Sequence, residues 1–373
     1  MREKPTRREF LIGVSAATAS LLSSRASFPL DVGSRPFDIL VIGDSLVWGQ
    51  GLNEEQKFYR IIKEWIRDDV WADEGRVRVN VKAHSGATIN LSDAEAGALL
   101  AAEGDVASGV HPEINVSFPT IKKQLHVAGA EYAGDPGIVR LVLVSGGVPE
   151  VGVSNILNPF GSDSKLRSDI ERYCFREMSD LLISTTATFQ NAQIAVIGYY
   201  HIITSYMPVK RIMNDVLELY NWPRWTKPLI NNPVNRVLWR RYRRNMILRS
   251  RIWHERSTSS LQRAVDRANR STGDERVVFV PAPFADMHGY GAPKTFLWKV
   301  ASKGKAADPA SEQRKAVCRP TLDDLRRDTN LKYRTRVCEL ASIGHPNADG
   351  SAAIAAALRE TLEHRLRETN SNP

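Results

Sequence analysis

Ser45 and His345 are the residues whose types and positions best fit nucleophilic chemistry. Ser45 follows the apolar run 37–43 inside the sequence Gly-Asp-Ser-Leu, and His345 precedes a proline near the end of the chain. A serine hydroxyl becomes a strong nucleophile only when a base within hydrogen-bond reach takes its proton. The pair therefore predicts acyl transfer if the fold brings both residues together. The alternative is that Ser45 only caps the helix that follows, because serine is a preferred N-cap.

Acyl transfer also needs N–H groups that bind the negatively charged oxygen of the tetrahedral intermediate. The backbone N–H groups of Ser45 and Gly86 are the candidates, since both residues follow predicted strands. His84 is predicted to be a packed residue rather than a ligand. No group of His, Cys, Asp and Glu has the spacing of a metal site, and the sequence predicts no metal and no cofactor.

Five short apolar runs alternate with helical patterns, which predicts a parallel sheet covered by helices on both faces. The predicted strands are 37–43, 76–86, 139–147, 193–200 and 275–283, and the predicted helices are 54–70, 118–128, 164–189, 257–272 and 351–367. Residues 284–340 are predicted to be irregular. Reactive groups in such sheets gather at the carboxyl ends of the strands, which is where Ser45 and Gly86 lie.

Three short motifs follow one another in an order that resembles the GDSL, or SGNH, esterases and lipases. They are Gly-Asp-Ser-Leu at 43–46, Gly86 after the second strand and His-Pro-Asn at 345–347, within residues 37–366. The resemblance implies a flavodoxin-like three-layer α/β/α fold and a serine hydrolase that cleaves carboxylic esters. It also implies that Ser45 is the nucleophile, His345 the general base and Gly86 an oxyanion donor, while Asp44 braces the turn.

The third sequence block departs from this family. Members usually supply an asparagine side chain to the oxyanion hole within Gly-x-Asn-Asp, and the corresponding stretch here is Ser-Gly-Gly-Val-Pro-Glu-Val. If Glu150 matches the aspartate, Pro149 occupies the asparagine position and has no donor. Gly147 or Asn155 could compensate for it.

The acid of the catalytic triad is the second departure. Ser342 stands three residues before His345, where members commonly carry aspartate. A main-chain carbonyl could orient the imidazole, which would give a Ser-His dyad, or Asp286 could substitute from a distant loop. His288 is either a structural residue of that loop or part of the lining of the site.

Residues 206–256 are predicted to be a basic, aromatic-rich helical insertion. They contain twelve Lys and Arg against three acidic residues, a surplus of +9 that equals the net charge of the chain, and four of its eight tryptophans. The insertion is either a helical cap with solvated charges, or a roof over the site that contacts an anionic membrane surface or envelope polymer. A small-molecule or polymer ester is the expected substrate, and nucleic acid is not expected.

The amino terminus predicts export. Residues 1–26 combine Arg7 and Arg8 with Phe10-Leu11 and a short apolar stretch, which resembles a Tat-type signal peptide. A periplasmic or extracellular location would allow Cys318 and Cys338 to pair. Cys174, in a helical pattern, is predicted to be a buried free thiol.

Two other functions remain open at this level. The chain could be an inactive scaffold of the same fold that binds an envelope glycan or lipid, given Pro149 and Ser342. It could also act on carbohydrate O-acetyl groups. Acyl chain length cannot be predicted from these residues.

Overall fold

The computed structural model describes residues 36–71, 77–102, 109–219, 233–301 and 305–371. The predicted signal peptide, residues 1–26, lies outside this set. No helix within the described ranges is both long and apolar enough to cross a membrane.

The centre of the fold is a five-stranded parallel sheet. Its strands are β1 (Phe37–Ile42), β2 (Val77–Val81), β3 (Val139–Val144), β4 (Gln193–Ile197) and β5 (Val277–Val280). Their order across the sheet is β2-β1-β3-β4-β5, and every neighbouring pair is parallel. With helices on both faces, this is the predicted flavodoxin-like α/β/α fold, which is therefore confirmed. β1 is buried along its whole length, as expected for a strand covered on both faces.

The helices that precede β4 in the chain include the three predicted there, at 54–70, 118–128 and 164–189. They are α1 (Ser45–Trp48), α2 (Phe58–Trp65), α3 (Asp93–Ala101), α4 (Ile121–Glu131), α5 (Val148–Val151), α6 (Val153–Ile156), α7 (Asp163–Ile170) and α8 (Met178–Thr188). A π-helical segment, Glu171–Glu177, joins α7 to α8 into one continuous rod. Four of these helices, α1, α3, α5 and α6, have no counterpart in the predicted helices. A Ser92–Glu95 capping box defines the start of α3.

The remaining helices differ more from the predictions. They are α9 (Val209–Leu219), α10 (Pro233–Thr272), α11 (Ser311–Thr329), α12 (Thr335–Glu339) and α13 (Ala348–Ser371). α10 unites the second part of the insertion with the helix predicted at 257–272. α11 and α12 lie in the segment predicted to be irregular, so that prediction was wrong for about half of its length.

The strands end earlier than the apolar runs because the chain turns away to form the loops at the carboxyl edge. Gly43 shows this after β1: its φ is +141°, and a Cβ atom there would overlap the carbonyl oxygen of Ser145. Only glycine combines that backbone conformation with so close an approach of the next strand. The site therefore begins directly after Ile42.

The basic insertion packs through one face of α10. Trp253 is buried, Trp239 is partly buried against the core, and Trp222 and Trp225 lie outside the described residues. Arginines such as Arg240 and Arg244 are exposed on the outer face. A cap with solvated charges accounts for these features, and contact with an anionic surface or envelope polymer stays a prediction.

Cys318 on α11 and Cys338 on α12 form a disulfide, and Cys174 is a buried free cysteine. Both arrangements are as predicted. The bond closes a loop with a sequence separation of 20 residues. It joins the two helices that precede the loop of His345.

Breaking this disulfide should lower the free energy of unfolding by about 3 kcal/mol, because the loop is then unconstrained in the unfolded chain. We expect this difference between wild type and a Cys318→Ser/Cys338→Ser double variant in equilibrium urea unfolding. A reductant should destabilise the wild type similarly and leave the double variant unchanged. A wild type that is indifferent to reductant would contradict the pairing.

Candidate active site

Asp44, not Ser45, caps the helix after β1. Its carboxylate accepts hydrogen bonds from the backbone N–H of Leu46 (2.9 Å), the Ser145 hydroxyl (2.5 Å) and the Tyr199 hydroxyl (2.6 Å). Burial raises the pKa of Asp44, and these hydrogen bonds oppose the rise. The helix-cap role that was the alternative for Ser45 is thus performed by its neighbour, Asp44. The Ser45 hydroxyl is left without a structural task.

The Ser45 hydroxyl lies 2.7 Å from His345 Nε2, although the residues are 300 positions apart. The loop of His345 is held by a pair of backbone hydrogen bonds with Trp298: Trp298 N–H to the His345 carbonyl (2.8 Å) and Gly344 N–H to the Trp298 carbonyl (2.9 Å). The Tyr200 hydroxyl donates to the Gly344 carbonyl at 2.8 Å. The structure therefore brings together the two side chains that the sequence singles out.

No carboxylate contacts the other nitrogen of the imidazole. His345 Nδ1 is buried and makes no hydrogen bond of good geometry to a described residue. The main-chain carbonyls of Ser342 and Ala341 are the acceptors nearest to the imidazole. Asp286, the proposed substitute acid, instead lies 2.9 Å from His201 Nδ1. The Ser342 hydroxyl donates to Asp308 (2.5 Å) and not to the imidazole. The arrangement is a Ser-His dyad.

A buried ion cluster lies behind the dyad and was not anticipated from the sequence. The fully buried Arg314 of α11 pairs with Asp308 (2.8 Å) and Glu113 (2.7 Å) and donates to the Ser342 hydroxyl (3.1 Å). A buried ion pair that loses one partner costs about 3–5 kcal/mol. The cluster is therefore a strong constraint on the three segments that it joins.

Glu113 extends this cluster to the turn that follows Ser45. Its carboxylate accepts hydrogen bonds from Trp48 Nε1 (2.8 Å), Gln50 Nε2 (2.9 Å) and the Gly51 N–H (3.1 Å). Arg314 also donates to the Glu339 carbonyl at 3.2 Å, on the His345 side. One guanidinium thus ties the turn of Ser45 to the loop of His345.

Burial lowers the pKa of His345 to about 4. The positive charge of Arg314 also lowers it, whereas the carbonyls of Ser342 and Ala341 act in the opposite direction. The imidazole is consequently neutral at pH 7. A neutral imidazole is the form that accepts a proton from Ser45.

Two backbone donors face the space beside Ser45. The N–H groups of Ser45 and Gly86 make no hydrogen bond within the described part of the chain. Gly86 has a φ of +76°, which favours glycine. His84 is buried with both ring nitrogens near carbonyls, of Ser85 (3.0 Å) and Val110 (3.3 Å), so it is a packed residue as expected.

Asn115 is the functional candidate that sequence reasoning missed. A Cβ atom on Gly86 would overlap Asn115 Oδ1, and Asn115 lines the same cleft as Ser45 and Gly86. Backbone hydrogen bonds from Ser85 to Pro112 and from Val116 to Ser85 hold it there. Its side-chain amide makes no hydrogen bond to a described residue. The only sequence signal was its residue type, since no motif surrounds it.

The third block supplies no side-chain amide donor. Pro149 and Glu150 line the cleft on α5, and Glu150 accepts a hydrogen bond from the Ile89 N–H at 2.5 Å. Burial raises the pKa of Glu150 to about 8, so this carboxyl is largely protonated at neutral pH. Asn155 donates to the Val151 carbonyl and to Asp169, away from the cleft. It therefore does not compensate for Pro149.

The dyad opens into a cleft of about 1490 Å³. The insertion contributes Met207, Ile212, Met246 and Trp253 to its wall, as the roof interpretation of 206–256 predicts. Of the residues proposed as possible lining, only Glu150 is part of the wall. The others lie elsewhere: Asp44, Gly147, Asn155, Asp286, His288 and Ser342. Within the described ranges, no group of three or more His, Cys, Asp or Glu side chains could hold a metal ion.

His288 and Asp286 belong to a separate loop, for a clear physical reason. They follow β5, at the edge of the sheet far from β1, and form a 3-10 turn, Asp286–His288. The His288 imidazole stacks on Phe296 with ring centroids 3.8 Å apart. His288 is therefore the structural residue of the two options.

No protein-family model matches the chain, and no curated protein matches it. Among solved structures it is similar to the extracellular lipase of Streptomyces rimosus, with 13% identity and a TM-score of 0.44 over 87% of this chain and 99% of the lipase. A phospholipase A1 from Streptomyces albidoflavus NA297 is 10% identical, with a TM-score of 0.42 over 87% of this chain and 99% of the phospholipase. A carbohydrate acetylesterase from Sinorhizobium meliloti is 11% identical, with a TM-score of 0.38 over 88% of this chain and 99% of the esterase.

These proteins are the kinds of enzyme that the resemblance to GDSL, or SGNH, hydrolases leads one to expect. Their identities and TM-scores are too low to carry residue roles or substrates to this chain. The function has to be inferred from its own side chains and their geometry.

The pH dependence of activity should reveal the depressed pKa of His345. A protonated imidazole cannot accept the Ser45 proton, so kcat/KM should fall as the pH decreases through about 4. An ordinary histidine would place this limb near pH 6.5. The measurement is kcat/KM for a soluble ester between pH 3 and 8, with circular dichroism at each pH to verify folding.

A Glu150→Gln variant is the control for this profile, since burial also shifts the pKa of this wall residue, to about 8. Its acidic limb should coincide with that of the wild type. A limb centred near pH 6.5 in the folded protein would contradict a buried neutral imidazole.

Proposed function

We propose that this protein is an exported serine hydrolase of the GDSL, or SGNH, type that cleaves carboxylic esters through an acyl-enzyme on Ser45. The single observation that carries this proposal is the 2.7 Å distance between the Ser45 hydroxyl and His345 Nε2 at the bottom of a large cleft. An inactive scaffold does not require this distance and this cleft together. A carbohydrate O-acetyl esterase would use the same Ser45 chemistry and differ only in its substrate.

The first half of the reaction follows from the positions of these groups. His345 Nε2 takes the proton of the Ser45 hydroxyl while Oγ attacks the ester carbonyl carbon, and the carbonyl oxygen becomes an oxyanion. The imidazolium then gives that proton to the alkoxide of the leaving alcohol, and the carbon–oxygen bond of the ester breaks. Water, deprotonated by the same imidazole, next attacks the acyl carbon. The bond from this carbon to Ser45 Oγ breaks, the imidazolium returns the proton to Oγ, and the acid is released.

The oxyanion would be bound by the backbone N–H groups of Ser45 and Gly86 and by the side chain of Asn115. Removing one such donor typically costs about 10²–10³ in turnover. Asn115 would thus replace, from a different loop, the donor that Pro149 cannot supply. The absence of a triad acid leaves backbone contacts and the Arg314 cluster to position His345.

Export is supported by two independent features. The first 26 residues resemble a Tat-type signal peptide, and Cys318 and Cys338 form a disulfide. Disulfides persist mainly in oxidising compartments such as the bacterial periplasm. Both features favour a periplasmic or extracellular protein.

A fluorophosphonate probe should label the wild type at Ser45, because the activated hydroxyl attacks its phosphorus. Ser45→Ala and His345→Ala should abolish labelling, whereas Ser154→Ala, an exposed serine of the cleft wall, should be labelled normally. The modified residue is identified by peptide mass spectrometry. In a bacterium that makes the full chain, labelled protein should be found outside the cytoplasm.

If the folded wild type neither reacts with the probe nor hydrolyses any p-nitrophenyl ester, the proposed hydrolase activity is refuted. A cytoplasmic location of active protein would refute export alone.

Asn115→Ala should lower kcat by about 10²–10³ with little change in KM, because an oxyanion donor acts mainly in the transition state. Asn155→Ala is the matched control: its amide is directed toward Asp169, so kcat should change less than threefold. Steady-state kinetics with p-nitrophenyl butyrate measure both. Equal losses in the two variants would exclude Asn115 as a specific donor.

A further inference from the structure

The cleft has two chemically different sides, and Ser45 lies between them. In the sheet order, β1 stands between β2 and β3, so the residues that follow β2 flank Ser45 on one side and those that follow β3 and β4 flank it on the other. Tyr333 and Arg334, from the segment before His345, belong to the first side because the Tyr333 hydroxyl contacts the Ser117 hydroxyl. We call the two sides the polar side and the apolar side. An ester bond held at Ser45 would direct its two halves into different surroundings.

We propose that the substrate is an amphiphilic ester, with a long aliphatic acyl chain on the apolar side and a hydroxyl-bearing alcohol on the polar side. This inference rests on the proposed function, because it concerns the ester that Ser45 cleaves. The shared chemistry of the alcohol is several hydroxyl groups, as in a glycerol-based headgroup or a sugar.

The apolar side is formed largely by the insertion. Its wall includes six large apolar side chains: Leu157, Ile203, Met207, Ile212, Met246 and Trp253. Met207 and Trp253 are buried against the hydrophobic core, while Met246 is half-buried. Each methylene that leaves water is worth about 0.8 kcal/mol, or about fourfold in affinity. A surface of this kind would bind a long acyl chain more tightly than a short one, because an acetyl group contacts little of it.

The size of the cleft also favours a substrate with a long acyl chain. Its volume of about 1490 Å³ exceeds the range of about 300–1,000 Å³ typical of pockets for drug-sized ligands. The apolar side requires α9 and α10, since Ile212 and Met246 lie on these helices. A chain without the insertion would leave this flank of Ser45 open to water.

The polar side is built from hydroxyl, amide and carboxylate groups. The Ser117 hydroxyl contacts Glu95 (2.6 Å) and the Tyr333 hydroxyl (2.8 Å), and Asn90 donates to Glu177 at 2.8 Å. Arg334 is exposed on the same wall and makes no ion pair with a described residue. Closely spaced donors and acceptors suit an alcohol whose own hydroxyls need partners, while Leu91 and Val116 supply apolar surface between them.

The acyl half is tested with p-nitrophenyl acetate, butyrate, octanoate and dodecanoate, each below its critical micelle concentration. We expect kcat/KM of the wild type to rise at least tenfold from acetate to dodecanoate. Met246→Glu places a carboxylate on the apolar side and should lower the dodecanoate-to-acetate ratio at least tenfold. Leu248→Glu is the matched control, since Leu248 is exposed on the same helix, and it should retain the wild-type ratio.

Leu157→Gln provides a second polar change, from a different element, if Met246→Glu does not fold. The fold of each variant is checked by its thermal unfolding. A wild type that prefers acetate, or a ratio that both apolar-side variants leave unchanged, would overturn the acyl half.

The alcohol half is tested with three dodecanoyl esters: monododecanoylglycerol, glucose monododecanoate and methyl dodecanoate. Either polar ester should be hydrolysed at least fivefold faster than the methyl ester, and the faster of the two identifies the source of the alcohol. Tyr333→Phe should reduce this preference without changing the chain-length ratio. Equal rates on all three esters would overturn the alcohol half.

These outcomes are distinguishable from failure of the enzyme itself. If the fluorophosphonate probe labels Ser45 and p-nitrophenyl acetate is cleaved, the hydrolase stands and only the substrate class is in question. If neither reaction occurs, the proposed function fails first.

Discussion

One buried cation, Arg314, is the constraint on which the site depends. A guanidinium with no exposed surface must have its charge balanced and its N–H groups hydrogen-bonded, and here Glu113 and Asp308 fulfil that need. Because Glu113 also binds the turn after Ser45 while Arg314 binds the loop before His345, balancing one charge fixes the distance between two remote segments. The adjacent Cys318–Cys338 bond holds α11 against α12 and so supports the same geometry.

The proposed reaction would use fewer specialised groups than a full triad and oxyanion hole. The position of a triad acid holds Ser342, which binds the ion cluster instead of the imidazole. A buried imidazole without a carboxylate partner favours its neutral form, which suits proton uptake but gives less stabilisation to the imidazolium that follows. Asn115 provides an amide beside Gly86 where the third block cannot. The groups of the proposed mechanism therefore come from loops that a family pattern does not connect.

The sequence predicted the five strands, their parallel arrangement and the Ser45–His345 pair, because buried strands and short motifs are local signals. It could not predict Asn115, whose place depends on backbone pairing between segments 85–88 and 112–117. The buried position of Arg314 was also not predicted, because its helix is mostly polar and lies in the segment predicted to be irregular. A weak signal was present there: Cys318, Leu322 and Leu325 are buried and follow a helical spacing. Asp286 was wrong as an acid because residues after β5 lie at the far edge of the sheet.

The division of tasks between Asp44 and Ser45 has a consequence for the history of such a protein. Stability at this turn comes from the carboxylate, which binds Leu46, Ser145 and Tyr199, while the neighbouring hydroxyl takes no part in holding the backbone. The residue that holds the turn and the residue proposed to react are thus encoded in separate codons. A lineage could lose the hydroxyl and keep an intact, foldable cleft for selection to reuse, so catalysis can disappear here without erosion of the scaffold.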